Sequence, residues 1–208
     1  MKQVLTSTLA AALLFLVIAP FVHAQGKTST VKITSHYPAA RTLVRKLQRG
    51  GYVVYIRHGE RAAFKEPDLP DMNDCKTQDN LTDKGRRQSV ALGAAYKLLK
   101  IPVGEVYSGE FCRNKESAML AFGKDTVLPE LDRFNPNVLP AIRKLLSTAP
   151  ATGSNTIIVN HHQALADASK AKLIDYAESA VFLPDGKGGF QLQGYIKLDE
   201  LNALRRKR

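Results

Sequence analysis

The 208-residue chain has only two cysteines, Cys75 and Cys112, so it can hold at most one internal disulfide. That excludes a disulfide-dense scaffold and a cysteine-rich metal site. Acidic side chains are scarce, with 19 Asp and Glu against 30 Lys and Arg and a formal net charge of +11. Such a basic surface favours anionic partners. The Lys and Arg are nevertheless scattered and no nucleic-acid motif is present, so nucleic acid is not expected as the partner. No internal repeat occurs, and beyond the first two dozen residues no apolar run is long enough to span a bilayer.

Those first residues have the form of a secretory signal. Lys2 supplies a small basic region, Leu9 to Val22 an apolar core broken by Pro20, and Val22-His23-Ala24 a small-residue cleavage site. An uncleaved anchor is the alternative, because no charge falls between Lys2 and Lys27. The organisation read from this is a signal peptide at 1–24, a polar, Ser/Thr-rich mobile leader at 25–37 and one folded domain at 38–208. The expected location is periplasmic or secreted. There the protein meets anionic lipids and phosphorylated glycans, so association with an anionic envelope surface is expected; nothing in the sequence indicates an oligomeric state. Exported proteins with two cysteines commonly join them. A Cys75–Cys112 bridge would close a loop of roughly 37 residues, worth about 3 to 4 kcal/mol in the chain-entropy model, and two buried, unpaired thiols are the alternative.

Along the domain, Pro38 starts a helix through Leu43, Val44 and Leu47 that Gly50-Gly51 ends. Tyr52 to Ile56 is a β-branched and aromatic strand. Residues 61–80 carry Pro67, Pro70 and several Asp and Asn, which makes them a loop long enough to act as a substrate lid. Thr82-Asp83 caps a helix to about Lys100. Strands at 104–108, 126–128 and 155–160 then alternate with helices at 111–122, 137–148 and 163–172. Val181-Phe182-Leu183 and Phe190-Gln191-Leu192 flank a turn at Asp185–Gly189. Such alternation predicts an α/β fold: a three-layer α/β/α sandwich, mostly parallel, with an edge hairpin.

Three of these strands run into polar clusters: Arg57-His58-Gly59-Glu60-Arg61, Cys112-Arg113 and His161-His162. In an open α/β sheet, ligands sit beyond the carboxyl ends of the strands. Arg57, His58, Arg61, Arg113 and His161 are therefore expected in one pocket, where arginine forks match phosphate oxygens and a neutral imidazole can attack phosphorus. A metal held by His58, His161 and His162 competes with this reading. Nearby arginines repel a cation, and no Asp or Cys completes the ligand set, so no metal and no cofactor are expected.

The sequence resembles the histidine phosphatase superfamily, the phosphoglycerate-mutase-like fold. The resemblance rests on Arg57-His58-Gly59 with Arg61, Leu81 through Arg86 opening a helix, Ser108 through Arg113 followed by Ser117-Ala118, and His161 after a strand. The export signal, Asp74-Cys75 and Phe182-Leu183-Pro184-Asp185-Gly186 look most like bacterial periplasmic members, including lipopolysaccharide core heptose phosphate phosphatases. What the resemblance implies is a phosphomonoesterase with His58 as nucleophile, Arg57, Arg61 and Arg113 on the phosphate oxygens, and His161 as the second imidazole. His162 is expected to orient its neighbour or to face solvent. One branch of the family places an Asp after the second histidine as proton donor, and His162 stands there instead. Another places a Glu beyond the second arginine's helix, which nominates Glu130, with Asp132, Glu178 and Glu60 as alternatives. The substrate expected is a small phosphorylated metabolite or phosphorylated glycan. Competing readings are a phosphate-binding or signalling module with little turnover, a phosphohistidine or phosphoprotein phosphatase, and a mutase, which export disfavours.

Overall fold

Strand β1 (Val53–Arg57) is apolar and buried on both faces until its last residue, the pattern of a central strand in a covered parallel sheet. A computed structural model describes this strand and the rest of residues 38–206. The expected signal at 1–24 and leader at 25–37 lie outside the described residues, as do Lys207 and Arg208. Strand β2 (Val103–Ser108) and the two-residue β3 (Thr126–Val127) run parallel to β4 (Asn155–Asn160), which pairs with β1 from Val53–Thr156 to Arg57–Asn160. On the other side of β1 come antiparallel β5 (Ser179–Pro184) and β6 (Phe190–Ile196), for the order β3-β2-β4-β1-β5-β6. The expected hairpin is therefore present, with β6 at the sheet's edge and β5 paired on both sides.

Side-chain alternation divides the core between two faces. Val54, Ile56, Ile157 and Val159 face helices α1 (Pro38–Leu47), α2 (Asp83–Leu98), α3 (Cys112–Phe122) and α6 (Leu198–Arg205), which contribute Leu43, Leu47, Leu92, Tyr96, Ala118 and Leu201. Val53, Tyr55, Ile158 and Phe182 face α4 (Val138–Ser147) and α5 (His162–Ser169) through Ile142, Leu146 and Leu165. The three-layer α/β/α sandwich is thus the observed architecture. Among the described residues, no helix is long and apolar enough to cross a membrane.

Helix α5 is shorter than the sequence suggests, starting at His162 and ending at Ser169 rather than running over 163–172. Lys170 takes a left-handed conformation (φ 57°) and donates its N–H to the Ala166 carbonyl, closing the helix. The chain then turns back along 170–178 and brings Ile174 and Tyr176 over the end of β1. Cys75 and Cys112 are joined, with their Cα atoms 5.7 Å apart. The bridge fastens the 61–80 loop to the first residue of α3, and the Gln78 side chain adds an acceptor for the Cys112 N–H at 2.8 Å.

Candidate active site

Backbone contacts lock the turn that follows β1. Gly59 donates its N–H to Ser117 Oγ at 3.0 Å, and a Cβ on Gly59 would collide with the Gly85 carbonyl, as one on Gly85 would with that of Glu60. Two glycines thus let the turn lie directly on the first turn of α2. A side chain at position 59 would push His58 out of place.

His58 is 3% exposed, and its Nδ1 lies 2.7 Å from the Gly59 carbonyl oxygen. That contact selects the tautomer with the proton on Nδ1 and leaves the lone pair on Nε2. Burial pulls the imidazole pKa down to about 3, with Arg113, Arg57 and Arg61 acting in the same direction and the Gly59 carbonyl against them. His58 is therefore neutral at pH 7, the form a nucleophile requires.

The same shift has a consequence for stability. An unfolded histidine titrates near pH 6.5, so between that pH and about 3 the unfolded chain binds a proton that folded His58 refuses. Stability is then complete above the unfolded pKa and falls as pH drops through the window. Between pH 7 and pH 4.5 the unfolding free energy of the wild type, measured in urea, should fall by about 2 to 3 kcal/mol more than that of His58→Gln. Parallel losses in the two proteins would show that His58 is not held neutral.

A cavity of about 320 Å³ is lined by Arg57, His58, Arg61, Arg113 and His161, the five residues expected to meet, and also by Arg133 and His162. Each arginine is anchored from behind. Arg57 lies over the Tyr176 ring, 3.7 Å from its centroid, and donates Nη1 to the Ile174 carbonyl at 3.1 Å. Arg61 pairs with fully buried Asp79. Arg113, 2% exposed, pairs with Glu66 and donates Nη1 to the Asp79 carbonyl at 3.0 Å. Arg133 reaches the other Glu66 oxygen at 3.2 Å and lies 4.8 Å from the Phe111 ring centroid. Burial alone would raise the Glu66 carboxyl's pKa. The Arg113 hydrogen bond, the Asp79 N–H and the charges of Arg113 and Arg133 outweigh it and hold the group below the usual carboxylate range.

His161 is the residue after β4, with its backbone carbonyl accepting the Tyr55 hydroxyl at 2.8 Å. Its ring meets His58 edge-on at 5.3 Å and Phe111 at 4.9 Å. Its Nε2 is buried without a hydrogen-bond partner within the protein, which leaves that atom for a ligand. Burial, then the neighbouring His58 and Arg113, keep this imidazole neutral too.

Glu130 stands apart from this group. It is exposed on the short turn Pro129–Leu131, whose inward position is taken by fully buried Leu131, and it is not among the residues lining the cavity. His162, expected to orient its neighbour or to face solvent, is half-buried and lines the cavity. Sequence reasoning also missed Glu66, Asp79, Arg133 and Tyr176. Buried arginines need counter-charges, which could have pointed to the acids of the 61–80 loop; no local pattern marks Arg133 or Tyr176. Among the described residues, no group of three or more His, Cys, Asp or Glu side chains is placed to hold a metal ion.

No protein-family model and no curated protein sequence matches the chain. Solved structures do. The protein histidine phosphatase SixA complexed with tungstate superposes with a TM-score of 0.53 at 17% identity, over 72% of this chain and 99% of that one. The chain has the histidine phosphatase fold. A protein from Agrobacterium tumefaciens, provisionally named phosphohistidine phosphatase SixA, gives a TM-score of 0.51 at 12% identity over 71% of this chain and 98% of its own. A structure named mycobacterial hydrolase 1 gives 0.51 at 15% identity over 68% and 96%. In this chain the histidine phosphatase fold sets Arg57, His58 and His161 at the carboxyl ends of adjacent parallel strands, β1 and β4. Arg113, at the start of α3, completes the ring.

Proposed function

We propose that the protein is an exported, metal-independent phosphomonoesterase that works through a phosphohistidine on His58. The observation that carries this reading is a buried imidazole whose Nδ1 is taken by the Gly59 carbonyl and which lines one cavity with four arginines. Nε2 of His58 attacks phosphorus in line with the departing oxygen, while Arg57, Arg61 and Arg113 hold the equatorial oxygens and offset their charge. His161 offers its free Nε2 to the same group. A module that only binds phosphate has no use for a neutral histidine at that place, which disfavours the binding reading.

The substrate class we assign is a small phosphorylated metabolite or phosphorylated glycan. A cavity of about 320 Å³ suits a phosphoryl group with part of a sugar, and tungstate in the SixA structure is itself a tetrahedral oxyanion. A phosphohistidine protein as substrate uses the same chemistry and draws on the activity in SixA's name. The signal at 1–24 supports export, and the Cys75–Cys112 bridge suits an oxidising compartment. Exposed Arg41, Arg45 and Arg49, one turn apart along and just beyond α1, support contact with an anionic envelope surface.

The test is direct. Protein hydrolysing p-nitrophenyl phosphate in excess chelator should, on quenching in alkaline detergent, yield a phosphoprotein that is base-stable and lost on acid treatment, as phosphohistidine is. Activity lost on chelation and restored by a divalent ion would refute the mechanism.

A further inference from the structure

We propose that His162 gives the proton to the leaving oxygen and, in the second half-reaction, takes one from the attacking water. The proposal rests on the phosphohistidine reading above. A proton donor must reach the cavity with a titratable atom. Apart from the arginines, His58 and His161, only two titratable side chains among the described residues line it, His162 and Asp167. Asp167 is exposed and its carboxylate accepts the Gln163 amide at 2.9 Å. Glu130, Asp132, Glu178 and Glu60 are not among the lining residues. Asp132 accepts the Phe134 N–H, Glu178 is held by Lys172 and the Asp175 N–H, and Glu60 is paired with Lys84.

His162 is built differently. It is half-buried, and its Nδ1 lies 3.2 Å from the Ile174 carbonyl, which also accepts Arg57 Nη1. One carbonyl thus fixes the ring beside the guanidinium that holds phosphate. With the proton on Nδ1 directed to that carbonyl, Nε2 is the atom free to exchange a proton.

The groups acting on His162 make loading depend on substrate. Burial and then Arg57, with Arg61, lower its pKa, while the Ile174 carbonyl and Asp175 raise it; His161 precedes it, and Asp167 lies further along the same helix. A phosphate dianion between Arg57 and Arg61 offsets both cations, and His162 then takes up a proton from solvent. The steps balance. His58 Nε2 bonds to phosphorus as the ester P–O bond breaks, and the leaving oxygen takes the proton from His162 Nε2. Neutral His162 next takes a proton from water as the water oxygen bonds to phosphorus. The P–N bond breaks, inorganic phosphate leaves, and His58 returns neutral.

Two variants separate this role from packing. His162→Asn keeps an N–H for the Ile174 carbonyl and removes Nε2, and His162→Gln places a non-titrating amide near the Nε2 position. Both should lower kcat/KM for glycerol phosphate by about 10² to 10³-fold and for p-nitrophenyl phosphate, whose leaving group needs no proton, by less than about tenfold. Both should also accumulate phosphoprotein from the aryl ester, because water attack has lost its base. Equal losses on the two substrates, no loss, or a leaving-group-dependent loss in Asp167→Asn instead would overturn the assignment. If wild type and variants alike form no acid-labile phosphoprotein, the phosphohistidine reading itself fails. Trapping without leaving-group dependence fails His162 alone.

Discussion

His58→Ala is expected to lower kcat/KM for an aryl phosphate by at least about 10⁴-fold, the scale on which removal of a covalent nucleophile acts, and to abolish the acid-labile phosphoprotein. Loss on this scale is expected because nothing adjacent can replace the lone pair on Nε2. His161 is neutral, but its ring stands edge-on to His58 against Phe111, and the Gly59–Gly85 contact holds the His58 position rather than the neighbouring one. The fold should survive, since the backbone hydrogen bonds of His58 to Asn160 and Ala177 are kept and its ring makes one hydrogen bond, to the residue beside it. Residual turnover above about one part in 10³, or a phosphoprotein that persists in His58→Ala, would move the nucleophile to His161.

The second large effect belongs to Arg113. Arg113→Ala should lose about 10² to 10³-fold in kcat, as expected for a preorganised donor to developing negative charge. It should also lose stability, because the Glu66 carboxylate, whose side chain is 8% exposed, keeps only partly exposed Arg133 as its cationic partner. Breaking a buried pair from one side costs about 3 to 5 kcal/mol. The two losses separate in the double variant Arg113→Ala with Glu66→Gln, which should regain most of the unfolding free energy and none of the turnover. Recovery of both would make Arg113 a structural partner of Glu66 and not a ligand of phosphate.

What the sequence could reveal follows from which forces placed each residue. Buried strands announce themselves through runs of Val, Ile and Tyr, and an arginine or histidine at the end of such a run has nowhere to go except the crevice beyond the sheet. Arg57, His58 and His161 were legible for that reason, and Arg113 through its place at the head of a helix after β2. The place of His162 in the cavity was not legible, because it sits where strand gives way to helix. The strand ends at Asn160 and the helix begins at His162, with His161 as the extended residue between them, so neither period governs this pair and both histidines reach the cavity. Glu130 was nominated by the family pattern alone, and its exposed place follows from the packing of Leu131, which decides which side of a three-residue turn faces inward. Glu66 and Asp79 sit in a loop without periodicity, fastened by a disulfide and by contacts distant in sequence. No window of local sequence carries that information.

Glu66 and Asp79 also set the electrical balance of the site. Four arginines around the cavity face Glu66 and Asp79, which are bonded to them, and Asp167, which also lines it, leaving one positive charge. A phosphomonoester presents nearly two negative charges at neutral pH, and so does the inorganic phosphate left after hydrolysis. Attraction to that charge holds the head group of reactant and product alike, which is uniform binding. The gain in the chemical step has to come from how Arg57, Arg61 and Arg113 are aimed at the equatorial oxygens as their charge redistributes. Selectivity for what enters over what leaves has to come from the organic part of the ester. In a phosphate-rich medium, inorganic phosphate is therefore expected to compete with the ester for the site.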